Sequence, residues 1–227
     1  MTLARRCGES PARASRPEVS RTVKIGRVQG RTGFTDRGSP ARVFPGPSER
    51  IRSVAEERDA EVILETRRLR LREFDPNDLD SLSAMVADEE QMRFYPRPRT
   101  RDEAGAWIGR NRCLYEEQGF GFWLVESRPA SGFLGYCGIR PLVLEGASET
   151  EIGWHTTKRA WNQGIATEAA AAVRDLAFAR YAQKRLIALI HPDHLASRRV
   201  AEKIGMCQQT AVVFDGDTYV VYVIETA

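Results

Sequence analysis

A short turn that opens into an Ala-rich helix is the part of this sequence best suited to bind a ligand. Residues 160–169 read AWNQGIATEA, and Gly164 and Ala166 are small enough for a ligand to approach the backbone closely. The first N–H groups of a helix have no intrahelical partners, and the helix dipole adds partial positive charge there, so this junction favours an anion such as a phosphate. The alternating residues 149–155 predict a strand before the turn. A strand, a glycine turn and a helix in this order commonly hold a nucleotide-containing cofactor.

The residues around this turn and the positions of the cysteines argue against several other kinds of site. No Gly-Lys-Ser/Thr follows it, so the lysine and the Mg²⁺-binding hydroxyl of a P-loop are missing. The G-x-G-x-x-G spacing of a dinucleotide fingerprint is also absent. The four cysteines, Cys7, Cys113, Cys137 and Cys207, show neither metal-ligand spacing nor a paired pattern. The sequence therefore predicts an anion site without a bound metal.

The turn and a second stretch together resemble the GNAT superfamily of acyl-CoA-dependent N-acyltransferases. In that family the turn reads Gln/Arg-x-x-Gly-x-Gly/Ala, and Trp161 stands here at its first position. The run W-x-x-G-x-A-T-E-A resembles the branch that includes the ribosomal-protein N-terminal acetyltransferases. Residues 189–206 resemble the following motif, a strand, Asn-x-x-Ser and a helix ending in Glu-Lys-x-Gly-Phe, with His194 in place of the Asn and Met206 in place of the Phe. The resemblance extends over residues 62–227.

This resemblance implies acetyl-CoA as the co-substrate and assigns residues to it. The amides of the turn hold the pyrophosphate of coenzyme A in the family, and the Asn-x-x-Ser motif bonds the pantetheine arm. Backbone groups of the preceding strand pair with the pantetheine amides as an added strand would. The predicted cofactor-binding residues are therefore Trp154, His155, Trp161, Asn162, Gln163, Gly164, Ile165, Ala166, Thr167, His194 and Ser197.

Acyl transfer to an amine requires that the amine lose its proton before it attacks. A lysine amine with a pKa of about 10.4 is only ~0.1% neutral near pH 7.4, whereas an α-amine with a pKa of about 8 is deprotonated at far lower cost. A base, or a water relayed to a base, is therefore expected beside the thioester. A carboxylate in the Glu-Ile-Gly position of related acetyltransferases often holds this water. Glu151 is accordingly the predicted catalytic base, and His155, with a pKa near neutrality, is the alternative.

The elements that must position these residues predict an α+β fold. Residues 69–74, 121–127, 133–140, 150–155, 185–190, 207–214 and 218–224 have strand patterns, and about four helices lie between them. Asp75-Pro76 and the capping box Thr100–Glu103 predict helix starts, and Gly119 predicts a helix end. The family resemblance implies a mixed, mostly antiparallel central sheet. Its two central strands, 149–155 and 185–190, splay apart to admit the cofactor.

The N-terminal residues differ in composition from the rest of the chain. Residues 1–60 carry 13 Lys and Arg against 7 Asp and Glu, whereas residues 61–227 carry 21 against 24. Because the first segment is rich in Arg, Gly, Pro and Ser and lacks apolar periodicity, we predict a disordered basic extension followed by a GNAT domain at 61–227. Three interpretations of this segment stay open: a targeting peptide, a nucleic-acid-binding tail, and an upstream extension from a mis-set start. We expect a cytoplasmic protein, because no secretory segment or membrane-spanning apolar run is present.

The leading hypothesis is an enzyme that moves an acetyl group from acetyl-CoA to a primary amine by direct attack in a ternary complex. Cys137 lies on a core-type strand without an evident adjacent base, so a covalent thiol intermediate is not expected. The acceptor is a protein N-terminus or a small-molecule amine, and the enzyme is a monomer or a homodimer. The alternative, favoured by His194, is a non-catalytic module that senses acyl-CoA. Aromatic residues that belong to either an acceptor pocket or the core are Phe94, Tyr95, Phe214 and Tyr219.

Overall fold

An eight-stranded sheet organises residues 60–226, the part of the chain that this computed structural model describes. The strands are β1 (Val62–Glu65), β2 (Leu69–Arg72), β3 (Phe122–Ser127), β4 (Phe133–Leu144), β5 (Ala147–Thr156), β6 (Arg185–Ile190), β7 (Cys207–Phe214) and β8 (Asp217–Glu225). The α-helices within these residues are α1 (Leu79–Val86), α2 (Arg101–Gln118), α3 (Ile165–Ala179) and α4 (Leu195–Lys203). This is the predicted α+β architecture.

The order of the strands places a parallel pair inside an otherwise antiparallel sheet. The order is β1-β2-β3-β4-β5-β6-β8-β7, and only β5 and β6 run parallel among these neighbours. β4 and β5 form a long hairpin whose pairing continues to Gly135 and Thr156. β5 and β6, in contrast, pair at Glu151 and Ile187 alone. The carboxyl ends of β5 and β6 therefore diverge, which confirms the predicted splay.

The helices divide between the two faces of the sheet. One cluster of buried side chains joins α3 and α4 to the sheet through residues such as Ala169, Val173 and Ala201. A second cluster joins α1 and α2 to β3 through Leu82, Ile108 and Leu124. Side chains alternate along a strand, so the even-numbered apolar residues of β6 join the first cluster and Ile187 lies on the opposite face. The splay thus opens a passage between the two faces.

Local signals in the sequence placed most helix ends correctly. Thr100 and Glu103 form the predicted capping box of α2, and Gly119 ends that helix with φ of 75°. Asp75 caps the next segment, but residues 76–78 form a 3-10 turn before α1 instead of a continuous helix. The Asp78 carboxylate accepts from the Asp75 N–H and binds the guanidinium of Arg72, which fixes this tighter turn.

The strands differ from the prediction at the start of the sheet and in the β4–β5 hairpin, and β2 ends at Arg72. β1 is a separate strand that the sequence pattern did not indicate, because Thr66 folds the chain back on itself. The Thr66 N–H donates to the Leu69 carbonyl, and its hydroxyl accepts from the Leu69 N–H. The β4–β5 hairpin is also longer than predicted, since Glu145 and Gly146 make its turn with φ of 50° and 84°.

The predicted extension at residues 1–60 lies outside the described residues, apart from Ala60, and remains a prediction. Within residues 60–226 no helix is long and apolar enough to cross a membrane. The same stretch contains no group of three or more His, Cys, Asp and Glu side chains placed to hold a metal ion.

Candidate active site

A cavity of about 680 Å³ passes through the opening between β5 and β6. On one side it reaches the N-terminal ends of α3 and α4, and on the other it reaches Trp107 of α2 and the loop before that helix. Ten of the eleven predicted cofactor-binding residues line this cavity, and Glu151 lines it too. Gln163 does not, because its side-chain amide donates to the Arg159 carbonyl. The structure therefore brings the two sequence motifs and the predicted base into one space.

The start of α3 has the geometry of an anion site. Gly164 is the N-cap with φ of 75°, and Asn162 has φ of 59°, both in the left-handed region. No side chain caps the first turn of α3. The N–H groups of Ile165, Ala166 and Thr167 precede the first helical bond, which Glu168 donates to the Gly164 carbonyl. They are therefore available to a ligand at the positive end of the helix dipole.

Trp161 braces this turn against the strand before it. Its indole N–H donates to the Thr156 carbonyl at 2.9 Å, so the side chain ties the turn to the end of β5. Trp161 also lines the cavity. Trp161, which stands where the family usually has Gln or Arg, therefore stabilises the turn through its hydrogen bond to β5.

The turn between β1 and β2 also stabilises the start of α3 through hydrogen bonds that the sequence did not reveal. The Glu168 carboxylate accepts from the Thr66 hydroxyl at 2.6 Å and from Arg68 Nε at 2.6 Å. Arg68 also donates to the Gln163 carbonyl at 2.9 Å. Burial alone would raise the pKa of Glu168, but the bonds from Thr66 and Arg68 outweigh it and lower the pKa. These contacts join residues about 100 positions apart, which is why no local pattern indicated them.

The N-terminal end of α4 carries the second predicted motif. His194 is the N-cap residue and stacks on Phe94 with ring centroids 4.1 Å apart. Burial lowers the pKa of His194 to about 4, with the positive charge of Arg93 as the next cause, so the ring is neutral near pH 7. Its Nδ1 is buried and has no hydrogen-bond partner among residues 60–226. Ser197 lines the cavity one turn further along α4.

Glu151 lies where β5 leaves β6, at the last point of contact between the two strands. It is opposite Arg140 in the β4–β5 register, and Arg140 Nε binds one carboxylate oxygen at 2.5 Å. The Glu151 side chain is 13% exposed and lines the cavity. Its second oxygen has no hydrogen-bond partner in the described part of the chain. A largely desolvated carboxylate with one free oxygen is suited to bind an amine or a water.

His155 lies on the same side of β5 but in a different environment. It stacks on Tyr95 at 5.3 Å, and the Tyr136 ring meets it edge-on at 5.6 Å. Burial lowers the pKa of His155 to about 4. The ring therefore lacks the pKa near neutrality that its residue type predicts. Whether Glu151 or His155 acts as the base stays a prediction.

Four aromatic rings enclose the cavity on the side of Glu151. Trp107 lies 4.8 Å from the Tyr136 ring and 5.9 Å from the Phe122 ring, and Tyr95 completes the group beside His155. The Phe122 ring occupies space left by Gly153, where a Cβ would lie 2.9 Å from it. This region is called the aromatic chamber below, defined by Tyr95, Trp107, Phe122 and Tyr136.

The sequence candidates for an acceptor pocket divide between the two ends of the cavity. Tyr95 belongs to the aromatic chamber, whereas Phe94 packs against His194 at the α4 end. Phe214 and Tyr219 line the cavity from the β7–β8 hairpin. Cys137 is buried, and burial raises the pKa of its thiol, so it is unsuited to act as a nucleophile.

Arg140 and Trp107 are site residues that sequence reasoning missed. The signal for Arg140 was present: counting back from the turn at Glu145 and Gly146 places it opposite Glu151 on the same face of the hairpin. Trp107 had no such signal. It lies in the middle of α2, and only the packing of that helix on β3 brings its ring to the cavity.

A mixed sheet that splays between two parallel strands, with an uncapped helix start facing the splay, defines the class of GNAT acyltransferases. The chain belongs to this family: residues 68–207 match the Acetyltransferase (GNAT) domain.

The chain is similar to two proteins of Bacillus subtilis strain 168. It is 35% identical to the uncharacterized protein YkkB over 149 residues, which are 65% of this chain and 87% of YkkB. It is 28% identical to the uncharacterized N-acetyltransferase YoaA over 145 residues, which are 63% of this chain and 81% of that protein.

Solved structures share the fold at lower identity. An acetyltransferase from Agrobacterium tumefaciens strain C58 superposes with a TM-score of 0.64 at 22% identity, covering 83% of this chain and 100% of that one. RimL, a ribosomal L7/L12 α-N-protein acetyltransferase solved in complex with coenzyme A, gives a TM-score of 0.61 at 17% identity, covering 73% and 98%. The predicted likeness to the ribosomal-protein branch is confirmed at the level of the fold.

Proposed function

We propose that this protein is an N-acetyltransferase that transfers the acetyl group of acetyl-CoA to a primary amine by direct attack in a ternary complex. The observation that carries the proposal is the continuous cavity, which joins the free N–H groups at the start of α3 to Glu151 through the splay. Membership in the GNAT family and the coenzyme A complex of RimL support the same cofactor.

Several features of the chain suit coenzyme A. The uncapped start of α3 offers N–H groups to the pyrophosphate. Beyond Glu151 the edge of β5 has no β6 partner, so the backbone groups near Trp154 can pair with the amides of the pantetheine arm. Arg199 and Lys203 of α4 line the same side of the cavity and add positive charge. Ser197 supplies a hydroxyl on the helix face that borders the arm.

In the proposed reaction, Glu151 prepares the amine. The free oxygen of Glu151 accepts a proton from the incoming ammonium, directly or through one water, and passes it to solvent. The neutral nitrogen then attacks the thioester carbon, so that a C–N bond forms and the C–S bond breaks. The second proton of the nitrogen goes to the departing sulfur, which gives the amide and the thiol of coenzyme A. Arg140 keeps the carboxylate turned toward the cavity.

Glu151→Gln tests this role, and Glu149→Gln is the matched control. Glu149 lies two residues away on the same face of β5 and is likewise held by an arginine, Arg185. Glu151→Gln is expected to lower kcat by roughly 10²-fold or more, the range for loss of a general base. Glu149→Gln should keep the wild-type kcat. Release of coenzyme A thiol is the activity readout, and calorimetric titration with acetyl-CoA reports binding.

The outcomes separate catalysis from binding. Equal turnover in the two variants would remove Glu151 as the base. Acetyl-CoA binding without thiol release across a broad panel of amines would overturn the enzyme and leave the non-catalytic sensor. No acetyl-CoA binding by the folded protein would overturn both.

A further inference from the structure

Arg99, unlike its neighbours Arg97 and Arg101, has no ion-pair partner among residues 60–226. Arg97 pairs with Glu103, and Arg101 pairs with Asp80. Within residues 60–226 no hydrogen bond or ion pair holds the guanidinium of Arg99. Its backbone is fixed nevertheless, because the Arg99 N–H donates to the Val86 carbonyl at 2.8 Å.

The side chain of Arg99 is half-buried at the aromatic chamber. It lines the large cavity and also a small neighbouring one of about 30 Å³ bounded by Tyr95, Trp107 and Tyr136. Burial raises the pKa of both Tyr95 and Tyr136, and the positive charge of Arg99 opposes this effect at each phenol. The positive charge of Arg99 therefore acts on both phenols.

A half-buried guanidinium without an ion-pair partner can pair with an anion that enters the cavity. The planar fork of an arginine matches the two oxygens of a carboxylate. Glu151 lines the same cavity, and its carboxylate attracts an ammonium group. The aromatic rings that line this cavity with them favour an apolar stem.

We propose that the acceptor is an amine that also carries a carboxylate. The carboxylate binds Arg99, the apolar stem lies within the aromatic chamber, and the amine faces Glu151. This inference rests on the proposed acetyltransferase function and names the class of its acceptor. Asp215 and Glu90 also line the cavity, so a diamine is the competing acceptor that the experiment must separate.

The experiment compares amines of equal length that differ only in their far end. The full-length protein with saturating acetyl-CoA is assayed with a straight-chain ω-amino acid, the corresponding alkylamine and the corresponding diamine. A second set compares aminomethylbenzoate with methylbenzylamine, which suit the aromatic walls. A charge-assisted hydrogen-bonded pair predicts a kcat/KM that is roughly ten- to a hundredfold higher for the carboxylates than for the matched uncharged amines.

Substitutions then assign the preference to Arg99. Arg99→Gln should reduce the preference to about twofold or less, and Arg99→Lys should keep part of it because the charge remains. Arg112→Gln is the matched control, since Arg112 is exposed on α2 away from the cavity lining. Circular dichroism and urea unfolding establish that each variant folds. The wild-type panel and Arg99→Lys decide the matter if Arg99→Gln does not fold.

Failure of this inference and failure of the proposed function give different results. Equal kcat/KM for all probes, or a preference for the diamine, would overturn the carboxylate acceptor and leave the acetyltransferase standing. Acetyl-CoA binding with no thiol release from any amine would overturn the acetyltransferase. In that case, calorimetric titration of the coenzyme A-saturated protein with the ω-amino acid decides: binding that Arg99→Gln loses supports the anion site, and no binding refutes it.

Discussion

Lowering the pH from about 7.5 to about 5 should destabilise this protein through His155. The ring is buried between Tyr95 and Tyr136, and burial lowers its pKa from 6.5 to about 4. The unfolded chain therefore binds a proton at a pH where the folded chain does not. Stability from this neutral histidine is fully present above pH 6.5 and is lost as the pH falls toward 4.

The size of the effect follows from the two pKa values. At pH 5 the histidine of the unfolded chain is almost fully protonated, whereas that of the folded chain is mostly neutral. The linkage relation gives a loss of about 2 kcal/mol between pH 7.5 and pH 5. His194, with a pKa also lowered to about 4, adds a loss of the same sign over this range. Asp and Glu residues contribute little in this range, since their unfolded pKa values lie near or below 4.5.

Urea unfolding followed by tryptophan fluorescence measures this loss in the wild type and in His155→Gln. The variant will be less stable at neutral pH, but its free energy of unfolding should depend less on pH, by about 2 kcal/mol over the same range. NMR titration of the His155 ring supplies a second readout. Parallel pH dependences for the two proteins, or a ring that titrates near pH 6.5, would refute the burial argument.

Three further predictions test the packing around the site. Gly153→Ala places a methyl group about 2.9 Å from the Phe122 ring, so unfolding experiments should show a loss of roughly 1–3 kcal/mol, and an unchanged midpoint would show that the ring moves freely. Glu168→Gln removes the carboxylate that Arg68 binds, so acetyl-CoA affinity measured by calorimetry should fall while the helix content by circular dichroism is retained; unaltered affinity would contradict the bracing role. Tyr115→Phe leaves the buried Phe122 carbonyl without its hydroxyl donor, so the free energy of unfolding in urea should fall by about 1–3 kcal/mol. An unchanged free energy of unfolding would contradict a stabilising role for this hydrogen bond.

The sequence by itself determined the elements whose signals are local. Alternating apolar residues, capping boxes and turn residues act within a few positions, so α2, β6 and the β7–β8 hairpin were placed to within a residue or two. Each of the two family motifs likewise consists of a turn and the helix start that follows it, so each is recognised from consecutive residues. They predicted the splay and most of the cavity lining. Glu151 was predicted as the base from its Glu-Ile-Gly position on the strand that precedes the turn.

Only the tertiary structure decided which distant residues meet. Arg68 reaches Glu168, and Arg99 reaches the aromatic chamber, through packing that no short-range pattern encodes. The difference between Glu151 and His155 also lies in their surroundings: one keeps a free oxygen in the cavity, and the other is enclosed by two rings. Proton affinity depends on burial and neighbouring charges. The residue type at a given position therefore identifies a candidate base, but it does not rank two candidates such as Glu151 and His155.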